Sequence, residues 1–346
     1  MAQSMYPTSI GNTGSLGDLV SNVIISFQTG YNEMVGMWDD PKELFKVEDV
    51  GAHNRDTFNV EELVTVRTPA RSVQQGQNFP TVPFAPGYYK QITSTRKASS
   101  SEYTWQLDHH TPYQNMVLSW YKDTGWNLRT RLLLDSTHFL TFMTSTSYTN
   151  LDGDSVDVST GDGNPIAYSA HTVTNSTRTY RTRLAGNPAL TSAAVEQAMT
   201  NFSQQPIGNN GDRLMIAGNA LIVTSSTVVY HRALQIVRSM APTTAPNSGV
   251  FNPLRNALRV LRYFYFDSAA NGDPDTTKSE WWVLADFTNP GGYIYVTEQP
   301  NVLVPTLNNG GIQWLNDNRT IRGTMCYTIT WLNPRNIQGS TGDGTP

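Results

Sequence analysis

The side chains able to do chemistry are few, and their spacing argues against a reaction centre. Asp108-His109-His110 offers a carboxylate and two imidazoles. Adjacent residues on a strand point to opposite faces, so the two imidazoles cannot converge on one metal ion without a bend. They read instead as hydrogen-bonding residues at a hinge. Asp152, Asp154, Asp157 and Asp162 form an acidic cluster, but it lacks the EF-hand spacing and the closing glutamate, and reads as a structural turn. Cys326, the single cysteine, falls mid-strand with no evident histidine partner and is expected to be a buried, inert thiol. There is no G-x-S-x-G elbow, no H-E-x-x-H and no glycine-rich phosphate loop. Trp281-Trp282 and Tyr263-Phe-Tyr-Phe266 could stack a ligand, as in a carbohydrate-binding module, although aromatics flanked by apolar strand residues more often fill a core. No catalytic, cofactor-binding or metal-binding residue is assigned, no cofactor is expected, and the chain is not expected to be an enzyme.

Composition supports a different role. The chain has 346 residues, 38% hydrophobic and 15% charged, with a formal net charge of −4. That balance argues against a protein that grips nucleic acid through a basic surface, but not against lining a compartment that contains it. One cysteine permits no intrachain disulfide and fits a reducing cytoplasm. The first basic residue is Lys42, so no secretory n-region is expected, and no run approaches the ~20 apolar residues of a membrane span.

The elements that would carry function are long. Residues 44–112 read as a two-armed hairpin, outgoing from Leu44 to Val66 and returning from Tyr88 to His109, with a Gln-, Pro- and Arg-rich tip at Arg67–Gly87. An arm of about 20 extended residues reaches ~65 Å, against a radius of gyration of ~20 Å for a globule of this length. Such a ribbon is not stable alone in water, and another copy of the same chain is the economical cover. Before it, Leu16, Val20, Val23, Phe27, Tyr31 and Trp38 recur at helical spacing, weakened by Gly30 and Gly36 and closed by Pro41. That helix either packs on its own domain or docks on a neighbour.

After the hairpin, Tyr113 to about Met143 predicts a second helix of ~45 Å, with Gly125 as a soft point. Residues 149–188 read as irregular or β-like. A third helix is expected after a Thr191-Ser192 cap, then a short buried strand at Arg213–Ala217, and a fourth helix starting at Thr224 or Ser225. Strand patterns follow at Leu258–Phe266, Trp281–Asp286, Tyr293–Thr297 and Thr320–Trp331. In the last, Ile321, Gly323, Met325, Tyr327, Ile329 and Trp331 alternate with polar residues, as a half-buried strand requires.

This order of elements resembles the HK97 fold of tailed-bacteriophage major capsid proteins. Leu16–Phe45 resembles the family's N-arm, the hairpin its E-loop, and 113–143 the spine helix of its peripheral domain. Ala189–Met199, Gly218–Val223, Asn252–Asn256 and Glu280–Asp286 resemble the entry to its axial domain, and the strand with Trp331, Asn333 and Arg335 its final peripheral strand. The resemblance implies an α+β fold: N-terminal arm 1–43, extended hairpin 44–112, peripheral domain 113–188, axial domain 189–300, and return strands with a loose tail 301–346. It implies a structural subunit that assembles through pentamers and hexamers into an icosahedral head, located in the virion and put together in the host cytoplasm. The implied partners are other copies, a portal, possible separate scaffold or cement proteins, and packaged double-stranded DNA held weakly on the inner face, with no membrane. Inter-subunit contacts are expected from Arg67, Arg71, Phe79, Phe84 and Tyr88 of the hairpin and from Leu16, Val20, Phe27 and Trp38 of the arm. Some family members join an E-loop lysine to a peripheral asparagine. Lys90, Lys97, Asn333 and Asn336 supply the residue types, without an identifiable catalytic glutamate. An encapsulin-like compartment shell, or a β-rich carbohydrate- or surface-binding module, stands as the alternative.

Overall fold

The structure, a computed structural model, describes residues 16–33, 38–51, 57–61, 72–73, 75, 77–78, 87–104, 114–173, 176–205, 208, 213–241, 251–303, 312–313 and 318–344. In chain order, α1 (Leu16–Asn32) leads through a 3₁₀ turn at Pro41–Leu44 into β1 (Phe45–Asp49), β2 (Thr57–Glu61), β3 (Tyr89–Thr93) and β4 (Thr95–Thr104). Then come α2 (Gln114–Thr141), β5 (Ser147–Thr149), β6 (Ser155–Asp157), β7 (His171–Val173), β8 (Ser176–Tyr180), α3 (Ser192–Gln204), β9 (Ala220–Val223) and α4 (Thr227–Arg238). The chain closes with β10 (Arg259–Arg262), β11 (Trp282–Ala285), β12 (Gly292–Leu303), β13 (Ile312–Gln313), β14 (Asn318–Trp331) and β15 (Ile337–Ser340). The architecture is mixed α+β. It divides into two compact units, Met1–Val35 with Thr95–Leu132 and Thr297–Tyr327, and Gly36–Ser94 with Leu133–Val296 and Thr328–Pro346.

In the first unit, β4 pairs antiparallel with β14 from Asn318↔Thr104 to Tyr327↔Thr95. The alternation of β14 places Ile321, Gly323, Met325 and Tyr327 inward, because a pleated strand sends successive side chains to opposite faces. Val23 of α1, Tyr121 of α2 and Ile321 form a buried cluster. The glycines here are not simply soft points. A Cβ on Gly30 would collide with the Lys122 carbonyl, and one on Gly125 with the Phe27 carbonyl. The two helices therefore touch backbone to backbone. Gly323 makes the same allowance below, where a Cβ would press on Thr124, Phe27 and Leu128.

The second unit is built on a four-stranded sheet in the order β10-β9-β11-β15. β9 and β10 are parallel, while β11 runs antiparallel to β9 and β15. All four residues of β9, of β11 and of β15 are buried, as strands covered on both faces must be. Helices α3 and α4 supply Val195, Ala198, Phe202, Val229, Ala233 and Ile236 to a core that includes Leu221, Trp282 and Leu284. Trp282 satisfies its indole N–H on the Pro188 carbonyl at 3.0 Å. Thr191 caps α3, its side chain accepting from the Ala194 N–H. The expected start of α4 shifts to Thr227, with Ser226 at the cap, since Thr224 donates to the Ser279 carbonyl and Ser225 to Asp267 instead. Residues 214–219 form no strand, and Met215 is 95% exposed.

Candidate assembly surfaces

The expected hairpin is shorter as a self-paired ribbon than its sequence suggests. Only β2 and β3 pair with each other among the described residues, from Thr57↔Thr93 to Glu61↔Tyr89. The outgoing arm begins as β1, which pairs parallel with β12, and the return arm continues as β4 along β14. Third strands thus support both bases. One face of β3 is also bound to its own unit. Residues 88, 90 and 92 share a face by the two-residue period. Tyr88 donates its hydroxyl to the Thr172 carbonyl, and Gly161 has no room for a Cβ because Tyr88 lies against it. Lys90 donates to the Ser159 carbonyl at 2.7 Å and pairs with Asp157 at 2.9 Å. Ile92 joins Val60, Tyr295 and Leu332 in a buried cluster. The opposite face shows Thr57, Asn59, Glu61, Tyr89, Gln91 and Thr93, all exposed. Burial pushes the Lys90 ammonium below its ordinary range even though Asp157 opposes this. For Asp157, burial works upward, but bonds from Ser159 and Lys90 outweigh it and hold the carboxyl low.

The arm residues are placed differently. Leu16 and Val20 lie on α1. Phe27, 2% exposed, is buried in its own unit beside Gly323. Trp38 lies over the Arg262 guanidinium, 4.3 Å from its ring centroid, with Tyr230 also in range of the same cation at 5.1 Å. The edge of Phe264 completes the packing at 4.9 Å. Arg262 and Asp39 exchange two hydrogen bonds: Asp39 N–H to the Arg262 carbonyl at 3.0 Å, and Arg262 N–H to the Asp39 side-chain carboxylate at 2.8 Å. Burial raises the Asp39 carboxyl despite that bond and the nearby Arg259. Arg67, Arg71, Phe79 and Phe84 lie outside the described residues, as do His109 and His110.

The acidic cluster disperses. Asp152 and Asp154 sit on a turn whose main-chain N–H groups both bond Asn150 Oδ1 at 2.9 Å, and Asp157 turns to Lys90. Asp162, its side chain 2% exposed, faces the fully buried His171 at 2.8 Å. Thr160 and Asn164 donate to the same carboxylate. His171 reaches Thr182 through its other ring nitrogen at 2.9 Å. Burial works to raise Asp162, but the His171, Thr160 and Asn164 bonds win and hold it well below the usual carboxylate range. The sequence reading missed His171 and Thr182, because nothing local marks their convergence on Asp162. Cys326 is half-buried rather than buried, its thiol donating to Glu298 at 3.2 Å. Trp282, Tyr263 and Phe266 are core residues, whereas Phe264 is 52% exposed. Asn336 donates to the Asn289 carbonyl at 2.8 Å, and Asn333 caps a 3₁₀ turn.

Compared with solved structures, the chain is similar to a chain from the asymmetric unit of the bacteriophage PhiM1 mature capsid, with a TM-score of 0.50 and 13% identity over 89% of this chain and 88% of that one. Likenesses with lower scores include Gordonia phage Cozz (TM-score 0.49, 11% identity, 89% and 88% covered) and a virus-like particle from Pyrococcus furiosus (0.42, 9%, 95% and 100%). No family model and no curated protein matches the chain. The chain has a phage capsid fold. Among the described residues, no helix is long and apolar enough to cross a membrane.

Proposed function

We propose that this protein is a structural major capsid protein of the HK97 type, many copies of which close into an icosahedral head around a phage genome. The observation that carries the reading is the likeness to the PhiM1 capsid subunit over most of both chains. In this reading residues 44–112 are the E-loop, α2 is the spine helix, and the α3/α4 layer with its sheet is the axial domain. A subunit with projecting arms makes head-to-tail contacts, which close into rings of five and six when the rotation permits. Each contact is weak, but their number makes a closed shell stable. The hairpin tip, with Arg67, Arg71, Phe79 and Phe84, and the arm residues Leu16 and Val20 are the proposed contact elements. The exposed face of β2 and β3 extends that surface. Portal, scaffold or cement proteins and weakly held DNA complete the partners, with the virion as the location and the host cytoplasm as the place of assembly.

Light scattering and negative-stain microscopy of the purified protein test this. Closed shells of tens of nanometres, or rings of five or six, are the expected result, and co-purifying DNA rather than a cargo enzyme separates a phage head from a compartment shell. A ~38 kDa monomer at all concentrations, with or without phage scaffold, would overturn the proposal.

A further inference from the structure

From Arg213 to Phe266 the chain carries six arginines, no lysine and no carboxylate. The stretch that follows, Asp267–Asp286, carries five carboxylates and one lysine. The fold pairs some members of the two stretches, Arg232 with Glu280 at 2.8 Å, and sets others at opposite ends of α4. β9 and β10 are parallel and α4 is the crossover between them, so α4 runs antiparallel to both strands. Its C-terminus lies where β10 begins: Asn256 N–H bonds the Val237 carbonyl at 2.8 Å, and Asn252 N–H the Met240 carbonyl at 3.1 Å. Its N-terminus lies where β10 ends, and there Ser225 bonds Asp267 at 2.8 Å. The helix of 12 residues sets the two ends about 18 Å apart.

Most of the six arginines are engaged within the unit. Arg232 pairs with Glu280 at 2.8 Å and Arg259 with Glu43 at 2.6 Å. Arg262 is buried against Trp38 and Tyr230, and Arg213 donates to the Ser203 carbonyl. Arg238 and Arg255 are exposed and have no carboxylate partner among the described residues. They sit beside two large exposed apolar side chains, Met240 (71%) and Phe251 (65%). Arginine, methionine and phenylalanine are the residue types enriched in protein–protein contacts. At the other end, Asp273 is exposed; its carboxylate accepts from the Asn271 side chain and its carbonyl from the Ala269 N–H.

We propose that Arg238, Met240, Phe251 and Arg255 form a docking face for the acidic turn around Asp273 of a second copy of this chain. Because the two patches differ and lie at opposite ends of one layer, the contact is heterologous and each subunit gives one patch and receives the other. The inference rests on the shell reading and names one of its contacts.

The test is a charge swap followed by particle yield on a density gradient. R238E/R255E is expected to cut yield at least tenfold, with the gentler R238Q/R255Q falling between it and wild type. Adding D273K to R238E/R255E is expected to recover particles, because every subunit then carries both reversed patches. Unchanged yield for R238E/R255E overturns the docking face while leaving the shell reading intact. So does a loss in the folded variant (circular dichroism melt unchanged) that D273K does not rescue. Normal yield with less retained DNA assigns the arginines to nucleic acid and also overturns it. Absence of particles from wild type overturns both.

Discussion

Replacing Gly125 with alanine sets two effects of known size against each other. In an exposed helix interior the change stabilises by about 1 kcal/mol, because alanine loses less backbone freedom. Here the new methyl would overlap the Phe27 carbonyl and crowd the Tyr31 amide. Both are backbone atoms of α1 and cannot swing aside as a side chain could. Overpacking of this kind costs about 1–3 kcal/mol, and parting the helices also loosens the packing around Phe27. The net expectation is a loss of about 1–2 kcal/mol, or about tenfold faster amide exchange across α1, at 1.4 kcal/mol per factor of ten. Hydrogen exchange read by mass spectrometry on α1 peptides measures it locally, which suits a chain of two units. Gly30→Ala is expected to behave alike, since its methyl would meet the Lys122 carbonyl. The double variant should cost less than the sum by at least 0.5 kcal/mol, because one separation relieves both overlaps. Slower exchange in Gly125→Ala would show helix propensity alone at work and refute the backbone contact.

Three other outcomes are expected. Asp162→Asn removes the carboxylate that His171, Thr160 and Asn164 bond. Because the folded-state carboxyl is depressed, its contribution is complete above the ordinary value of about 4 and is lost as pH falls through the lower folded value; the wild type should lose stability more steeply than the variant on acid titration below pH ~4. Lys90→Ala should free the hairpin base at a cost of about 1–2 kcal/mol, read as faster exchange in 89–93 without change in the α3/α4 layer. Deleting Arg67–Gly87 should leave a folded subunit that forms no closed shells; normal particles on a gradient would reject the hairpin as an assembly element.

What the sequence disclosed follows the range over which each signal acts. The Thr191 cap and the α3 spacing are local and both are present in the structure; the alternation of β14 holds in part, since Thr324 and Thr330 are buried as well and Ile329 is half-buried. The hairpin was over-extended because β1 and β4 find partners more than two hundred residues away in β12 and β14, and a two-residue period cannot tell which strand it will meet. Gly30 and Gly125 read as weak points since propensity counts the cost within one helix, not the close approach of a second. Asp162 was visible only as one acid among four. Its meaning came from His171 and Thr182, brought to it by the β7–β8 hairpin.

The fit of Tyr88 over Gly161 has a consequence for how this chain can diverge. A Cβ at 161 would meet the Tyr88 Cβ and crowd the Leu332 carbonyl, so 161 cannot drift from glycine while 88 carries any side chain. Residues 89, 91 and 93, on the opposite face of the same strand, are exposed, and Thr93 meets the Thr57 hydroxyl across the ribbon at 3.2 Å. In a library of variants selected for folding, 161 should therefore stay glycine whatever side chain replaces Tyr88, while Tyr89 and Gln91 vary freely until selection is for assembled particles.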